Sequence, residues 1–308
     1  MLSSSGFGCD LCSIYSVAQS RGELGRGFFA GAAEQFTHFG SLQVEGERVP
    51  NPSGQFLDSS VSQIFAGYNF NDRFGLQLNV PVIHRSFQRP QGAAIDRGTE
   101  SGLGDISLLG HFRVVRAEEK NRTFSWNLLG GVKFPSGDTR RLDEEVLELS
   151  APPPPAGSPE SGLHGHDLTL GTGSVDGVVG SSLFAREKRA FVTATVQYSI
   201  RTKGDFNYRF ANDLTWSGGP GYFIALNDQY TLAFQINFSG EYKGRDTFRG
   251  ATADDTGVTG VYLGPQLSVT WGDKFSAELG ADFPLSVHNT SFQAVPDYRI
   301  RSGLTWHF

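Results

Sequence analysis

The sequence is short of the features that mark helical membrane proteins and nucleic-acid binders. No apolar run approaches the roughly 18 residues of a membrane helix, and helical periodicity is nearly absent. Hydrophobic residues make up 38% of the 308, and mean hydropathy is −0.26. Twenty-six Lys and Arg stand against 32 Asp and Glu, a net charge of −6, so no basic footprint for nucleic acid exists. Cys9 and Cys12 are the two cysteines and lie together, so no disulfide frames the fold. Met1-Leu2-Ser3-Ser4 lacks the basic and apolar regions of a leader, and the chain is read as a mature form whose leader was removed.

What the chain does contain is strand material: 25 Phe and 39 Gly beside a single Met. Alternation with a period of two recurs along almost its whole length. In Tyr230 to Glu241, Tyr230, Leu232, Phe234, Ile236 and Phe238 share one face, and Thr231, Ala233, Gln235, Asn237, Ser239 and Glu241 the other. Phe275 to His288 repeats the pattern, as does Phe74 to Val82. Several such ribbons exceed ten residues, against about 5–6 for a soluble strand and about 9–11 for a tilted membrane strand.

Connections alternate in length. Tight polar turns fall at Asn71-Asp72-Arg73, Asn227-Asp228-Gln229 and Gly272-Asp273-Lys274, with slightly longer ones at 117–122 and 186–189. Long polar stretches lie between them, at 45–57, 88–102, 137–167, 244–257 and 289–296. This segregation predicts an all-β fold: a transmembrane antiparallel up-and-down β-barrel with short periplasmic turns and long extracellular loops. About twelve strands are expected, at 24–44, 58–70, 73–87, 103–116, 123–136, 168–184, 190–203, 206–226, 229–243, 258–271, 274–288 and 296–308. Residues 1–23 form a separate periplasmic segment and 24–308 the barrel. Trp126, Trp216, Trp271, Trp306, Tyr68, Phe70, Tyr222 and Tyr230 suit an interfacial girdle or, taken singly, ordinary packing.

The final segment Arg301-Ser302-Gly303-Leu304-Thr305-Trp306-His307-Phe308 is similar to the C-terminal signal that the barrel-assembly machinery recognises. Three internal phrases carry a second resemblance: Gly102-Leu103-Gly104-Asp105-Ile106-Ser107-Leu108, Gly131-Val132-Lys133-Phe134-Pro135-Ser136-Gly137-Asp138 and Leu170-Gly171-Thr172-Gly173-Ser174-Val175-Asp176. In this order they resemble the outer-membrane family labelled as a component of meta-pathway phenol degradation. The resemblance implies an outer-membrane barrel of a Gram-negative bacterium that transports aromatic or other apolar compounds. It brings no catalytic residues, and Cys9-Asp10-Leu11-Cys12 lies outside its pattern.

If the apolar faces meet lipid, the opposite faces line the lumen. Asp105, His111, Arg113, Lys133, Arg209, Asp213, Glu278, Asp282, Arg299 and Arg301 are placed there, with Gln235 and Glu241. Charges of both signs predict a cross-linked polar interior; a barrel of about twelve strands has a lumen that side chains largely fill. Cys9 and Cys12 admit a periplasmic disulfide, a metal site short of ligands, a lipidated Cys9 or, least supported, redox chemistry. Leu11, Ile14, Tyr15 and Ala18 have the spacing of a short helix in the barrel mouth. His164 and His166 could hold a metal, but two histidines in a polar loop are expected to be solvated, so no metal or cofactor is assigned. His84, His111 and His288 have no serine or carboxylate spacing that singles out a catalytic set, and no enzyme is expected.

Three functions compete. The first is a channel for small, apolar or aromatic cargo that passes a narrow path. Its candidate for a sideways exit is the kink Gly218-Gly219-Pro220-Gly221, which closure of the barrel would equally explain. The second is a plugged barrel whose N-terminal segment and loops bind a partner such as a periplasmic electron carrier. An outer-membrane enzyme is third.

Overall fold

The computed structural model describes residues 26–92, 94–148 and 159–308. Its strands, in chain order, begin with β1 (Gly27–Val44), β2 (Glu47–Val49), β3 (Phe56–Asn69), β4 (Phe74–Gln91), β5 (Ala94–Leu103) and β6 (Ser107–Glu119). They continue with β7 (Arg122–Lys133), β8 (Asp176–Glu187), β9 (Ala190–Ile200), β10 (Tyr208–Arg209), β11 (Asp213–Leu226) and β12 (Tyr230–Lys243). The last are β13 (Thr247–Phe248), β14 (Ala251–Thr252), β15 (Val258–Trp271), β16 (Phe275–Asn289) and β17 (Phe292–His307).

Twelve of these close a single antiparallel barrel, in the order β1, β3, β4, β6, β7, β8, β9, β11, β12, β15, β16, β17, with β17 returning to β1. Closure runs from Phe29 opposite His307 to Val44 opposite Phe292, and the Phe308 N–H reaches the Phe28 carbonyl at 2.9 Å. A sheet without edges satisfies its own backbone, which hydrocarbon requires.

The side chains are arranged inside out relative to a soluble protein. On β12, Phe234, Ile236 and Phe238 are exposed while Gln235, Asn237 and Lys243 are buried. On β4, Phe74, Leu78 and Val82 are exposed while Gln77, Asn79 and Arg85 are buried. Only lipid makes such an outer surface favourable. At the short-turn end, rings touch in series around it: Phe28–Tyr68 at 4.6 Å, Tyr68–Phe70 at 5.2 Å and Phe70–Phe74 at 5.6 Å, with Tyr230–Trp271 and Phe275–Trp306 further round. This is an interfacial girdle. Two turns there share one device. The Asn71 side chain accepts from the N–H of Arg73 and Phe74 at 2.8 and 2.9 Å, and Asn227 accepts likewise from Gln229 and Tyr230 at 2.9 Å each.

The structure corrects several expected boundaries. Residues 88–102 are not a loop: β4 continues to Gln91 and pairs back with β5 from Val82–Leu103 to Gln91–Ala94. Strand β8 starts at Asp176 and not at 168, because Leu168 and Leu170 are drawn into the lumen. Strand β11 starts at Asp213 and not at 206, since Tyr208 and Arg209 pair instead with Phe248 and Thr247 in a small separate sheet. Residues 289–296 make only a tight turn, Thr290-Ser291, with Ser291 at φ 55°.

The kink in β11 does not open the wall. Its register against β9 is unbroken from Asp213 to Tyr222, and against β12 it resumes at Gly221–Gln235 with the same offset as Gly218–Phe238. The glycines serve packing: a Cβ on Gly221 would sit 2.2 Å from the Phe191 ring, which lies over it. A wider interruption lies elsewhere. The β16–β17 ladder stops at Asp282–Arg299, above which the two strands pair outward with β15 and β1 and not with each other.

Candidate functional site

The lumen is divided by chain 134–175, whose described parts fold inward from the long-loop end. The three sequence phrases that resemble a known family meet at its two roots. Asp105 sits in the break between β5 and β6, where Gly104 N–H bonds to Pro81 and the Ser136 hydroxyl patches the gap by donating to the Gly104 carbonyl and accepting from Ile106 N–H. The Asp105 carboxylate accepts from Gly137 N–H at 3.0 Å, Thr172 N–H at 2.9 Å and the Thr172 hydroxyl at 2.7 Å, so one side chain ties down both ends of the insertion.

Lys133 donates to Asp105 and to Thr172 and lies 2.9 Å from Asp176. Asp176 in turn takes Arg201 at 3.0 Å, and Arg201 reaches Asp213 at 2.6 Å. The result is an alternating chain, Asp105–Lys133–Asp176–Arg201–Asp213, across the tops of five neighbouring wall segments. All five side chains are buried. Breaking one buried pair of this kind costs about 3–5 kcal/mol. Gly137 and Gly171 face each other so closely that a Cβ on either would lie within 2.7 Å of the other's backbone, which is why both phrases need glycine there.

Farther along, the insertion is held against the tall wall formed by β1, β3, β4 and β5. Leu163 and Leu168, both fully buried, pack with Phe39, Leu42, Leu57, Phe87 and Ala294. Arg85 donates to the carbonyls of Asp167 and Thr169, and Arg89 bridges Asp96 and Glu144 at 3.1 and 2.6 Å. Across the lumen, Arg299 pairs with Glu241 at 2.6 Å while stacking 4.2 Å over the Tyr262 ring, and Arg301 grips Asp282 through two bonds. Glu278 accepts from Gln266 at 3.0 Å.

His166 is buried and His164 half-buried, which corrects the expectation that both are solvated. His166 is 4% exposed; its Nδ1 lies 2.8 Å from Glu145 and its Nε2 3.2 Å from Asp167. Burial disfavours the imidazolium, but Asp167 and Glu145 outweigh it and hold the His166 pKa well above its usual value. Glu145 is pulled down to about 2, because His166 overcomes the cost of its burial. Tyr208, stacked on His166, is pushed up by burial and by Asp246, to which its hydroxyl donates at 2.7 Å.

The short-turn half of the lumen is different. There a cavity of about 580 Å³ is lined by Phe184, Phe223 and Leu226, with Arg116, Arg186 and Arg189 at its margin. Phe191 and Ala233 complete the apolar cluster behind it. Phenylalanines facing the interior of a barrel add nothing to its contact with lipid.

Of the residues placed in the lumen from sequence, Asp105, His111, Arg113, Lys133, Asp213, Asp282 and Arg299 are buried, and Glu278 and Arg301 half-buried. Arg209 is exposed in β10 and does not lie on the barrel wall. Cys9, Cys12 and the helical stripe from Leu11 to Ala18 lie outside the described residues. Asp176, Arg201, Arg85 and Arg89 were missed. Asp176 stood in the third phrase, and Arg85 and Arg89 share the parity of buried Ile83 and Phe87 on β4, a signal alternation would have given. Arg201 just follows β9 but shares the parity of buried Gln197 and Ser199 within the expected strand 190–203, so alternation marked it too.

No family model matches the sequence, and no curated relative does. Among solved structures, the COG4313 outer-membrane channel from Pseudomonas putida F1 superposes with a TM-score of 0.64 at 17% identity, over 92% of this chain and 97% of that one. The β domain of the Bordetella autotransporter BrkA gives 0.46 at 10% identity, covering 92% and 100% of the two chains. A Pseudomonas aeruginosa FadL homologue gives 0.37 at 11%, covering 92% and 91%. The first of these establishes the fold, a closed barrel of outer-membrane type.

Proposed function

We propose that the protein is a passive channel in the outer membrane of a Gram-negative bacterium, carrying small molecules of apolar or aromatic character. The observation that carries the reading is the 580 Å³ chamber at the short-turn end, where Phe184 and Phe223 face the lumen beside Arg116, Arg186 and Arg189. Rings with guanidinium groups at their margin suit a flat molecule that has a polar substituent. The resemblance of the Asp105, Lys133 and Asp176 phrases to the phenol-degradation family supports the same cargo. The solved outer-membrane channel at TM-score 0.64 supports the channel part of the reading and says nothing of the cargo. The last strand, ending at Phe308, is read as the segment offered to the barrel-assembly machinery, and no catalytic step is assigned.

Small aromatics should enter liposomes carrying the protein faster than liposomes carrying an unrelated barrel, with low ion conductance in planar bilayers. Uptake that never exceeds the control removes the channel reading. A second reading, a plugged barrel that binds a periplasmic partner, is favoured by the inward-folded chain 134–175. It takes over if conductance and uptake are both absent and another protein copurifies.

A further inference from the structure

Three metal-ligating side chains, Glu145, His166 and Asp255, converge beside the inward-folded chain, and His164 stands next to Asp255. Glu145 comes from the helix Asp143–Glu148, His164 and His166 from the start of the helix Gly165–Leu168, and Asp255 from the loop before β15. One ligand atom each from Glu145, His166 and Asp255 lie within 4.8 Å of one another, and His164 Nε2 is 3.6 Å from Asp255. We propose that Glu145, His164, His166 and Asp255 form a site for a divalent transition metal of the zinc class, which ties the inward-folded chain to the neighbouring loop.

The chemistry of the donors fits. Two imidazoles and two carboxylates make a four-coordinate set with zinc–ligand distances of about 2.0–2.1 Å, which puts ligand atoms about 3.3 Å apart. The 3.6 Å separation of His164 and Asp255 is close to that spacing. The 2.8 Å contact of His166 Nδ1 with Glu145 is a hydrogen bond, and replacing its proton by a metal requires the pair to open by about 0.5 Å.

The surroundings also fit. With Nδ1 turned to the metal, Nε2 of His166 lies 3.2 Å from Asp167 Oδ1. Asp167 is itself fixed by the His164 backbone N–H at 2.7 Å. A carboxylate orienting the far nitrogen of a ligating histidine is the usual support of such sites. The two imidazoles are parallel within 6°, and the Tyr208 ring continues the stack. Leu142, Tyr208, Phe210 and Phe248 form a buried apolar cluster on the same side. A simple ion pair accounts for Glu145 and His166. It does not account for Asp255, which lies within 4.8 Å of both and 3.6 Å from His164.

The test uses the whole protein in detergent, stripped with a chelator and titrated with zinc chloride by calorimetry, with cobalt(II) absorption as the geometric readout. One saturable site with a tetrahedral cobalt spectrum is expected in the wild type. His166→Gln should weaken binding at least tenfold. So should Asp255→Asn, which alters a half-buried loop residue and leaves the barrel intact by heat-modifiable gel mobility. Cys9→Ser/Cys12→Ser should bind as the wild type does. No saturable zinc, binding unchanged in both His166→Gln and Asp255→Asn, or binding lost with the cysteines would each overturn the assignment.

Discussion

The two halves of the lumen are built on opposite principles. In the long-loop half nearly every inward charge of the described residues has a partner and the space is occupied by the described parts of chain 134–175. Asp105, Lys133, Asp176, Arg201 and Asp213 neutralise one another in sequence, and Arg85 and Arg89 hold the insertion by its carbonyls. In the short-turn half the lumen keeps a chamber with phenylalanines on its wall and arginines at its margin. The difference separates two roles that a single tube would mix. On the channel reading, the upper half would set how far the passage is open, because its contacts fix the insertion. The lower half would set what dwells inside, because its surface is mixed and unfilled.

The strongest way to break that comparison is to cut the root of the insertion. Asp105→Ala removes the acceptor shared by Lys133, Gly137 and Thr172 and leaves a buried ammonium with one carboxylate, Asp176, beside the Thr172 hydroxyl. A loss of about 3–5 kcal/mol is expected in the docking of the insertion. It should be read as a rise in single-channel conductance while the barrel keeps its heat-modifiable mobility. The double variant Asp105→Ala/Lys133→Met should recover part of the loss, since the orphaned charge goes too. Unchanged conductance in Asp105→Ala would mean that the insertion does not set the opening.

The next effect tests which face is the lumen at all. Phe234→Arg should destabilise the barrel by about 2–4 kcal/mol, the cost of an arginine near the bilayer midplane. Gln235→Arg, one residue on and buried toward the lumen, should cost far less. Equal losses in folding titrations would undo the assignment. Smaller again is Phe223→Ala in the lower chamber. A fully packed Phe→Ala change costs about 3–5 kcal/mol, but this ring borders open space, so about 1–2 kcal/mol is expected. Uptake of small aromatics should slow while conductance to salt stays or rises. If aromatic and salt fluxes move together, the chamber is only a volume.

Much of this was legible because a barrel strand has one rule. Parity alone separates Phe234 from Gln235 and Leu279 from Glu278, and turn chemistry marks Asn71 and Asn227. The roots of the insertion were legible as phrases, yet their meeting was not. Asp105, Lys133 and Asp176 belong to three segments joined only by closure of the wall and the return of chain 134–175. Parity also fails where a strand leaves the barrel. Arg209 alternates correctly with its neighbours, but the inward pull on Tyr208, whose hydroxyl bonds Asp246, lifts it into a different sheet. The histidine pair misled for a related reason. A proline-rich, polar loop reads as solvated, whereas the anchoring of Leu163 and Leu168 on either side buries His166 and half-buries His164.

The smallest expected effect concerns the wall itself, where two interruptions differ in kind. At Gly219-Pro220 the ladder to β12 lapses, but β9 remains paired on the other side and the register resumes unchanged. Above Asp282–Arg299, β16 and β17 stay apart up to their shared turn, backed by Val258, Tyr262, Val287 and Val295. On the channel reading, a sideways exit for apolar cargo would need a break in the ladder, and the wider of the two breaks is the one between β16 and β17. Pro220 is exposed on the outer face, so Pro220→Val should keep contact with lipid and return one N–H to the strand. Stability should change by no more than about 0.5 kcal/mol, as for other exposed sites. Gly218 and Gly219 are left alone, because a Cβ there would lie 2.2 and 2.1 Å from the carbonyl oxygens of Thr193 and Ile236. Uptake of small aromatics by Pro220→Val should equal that of the wild type, since the kink serves closure. A clear slowing would return the sideways exit to β11 and take it away from the β16–β17 seam.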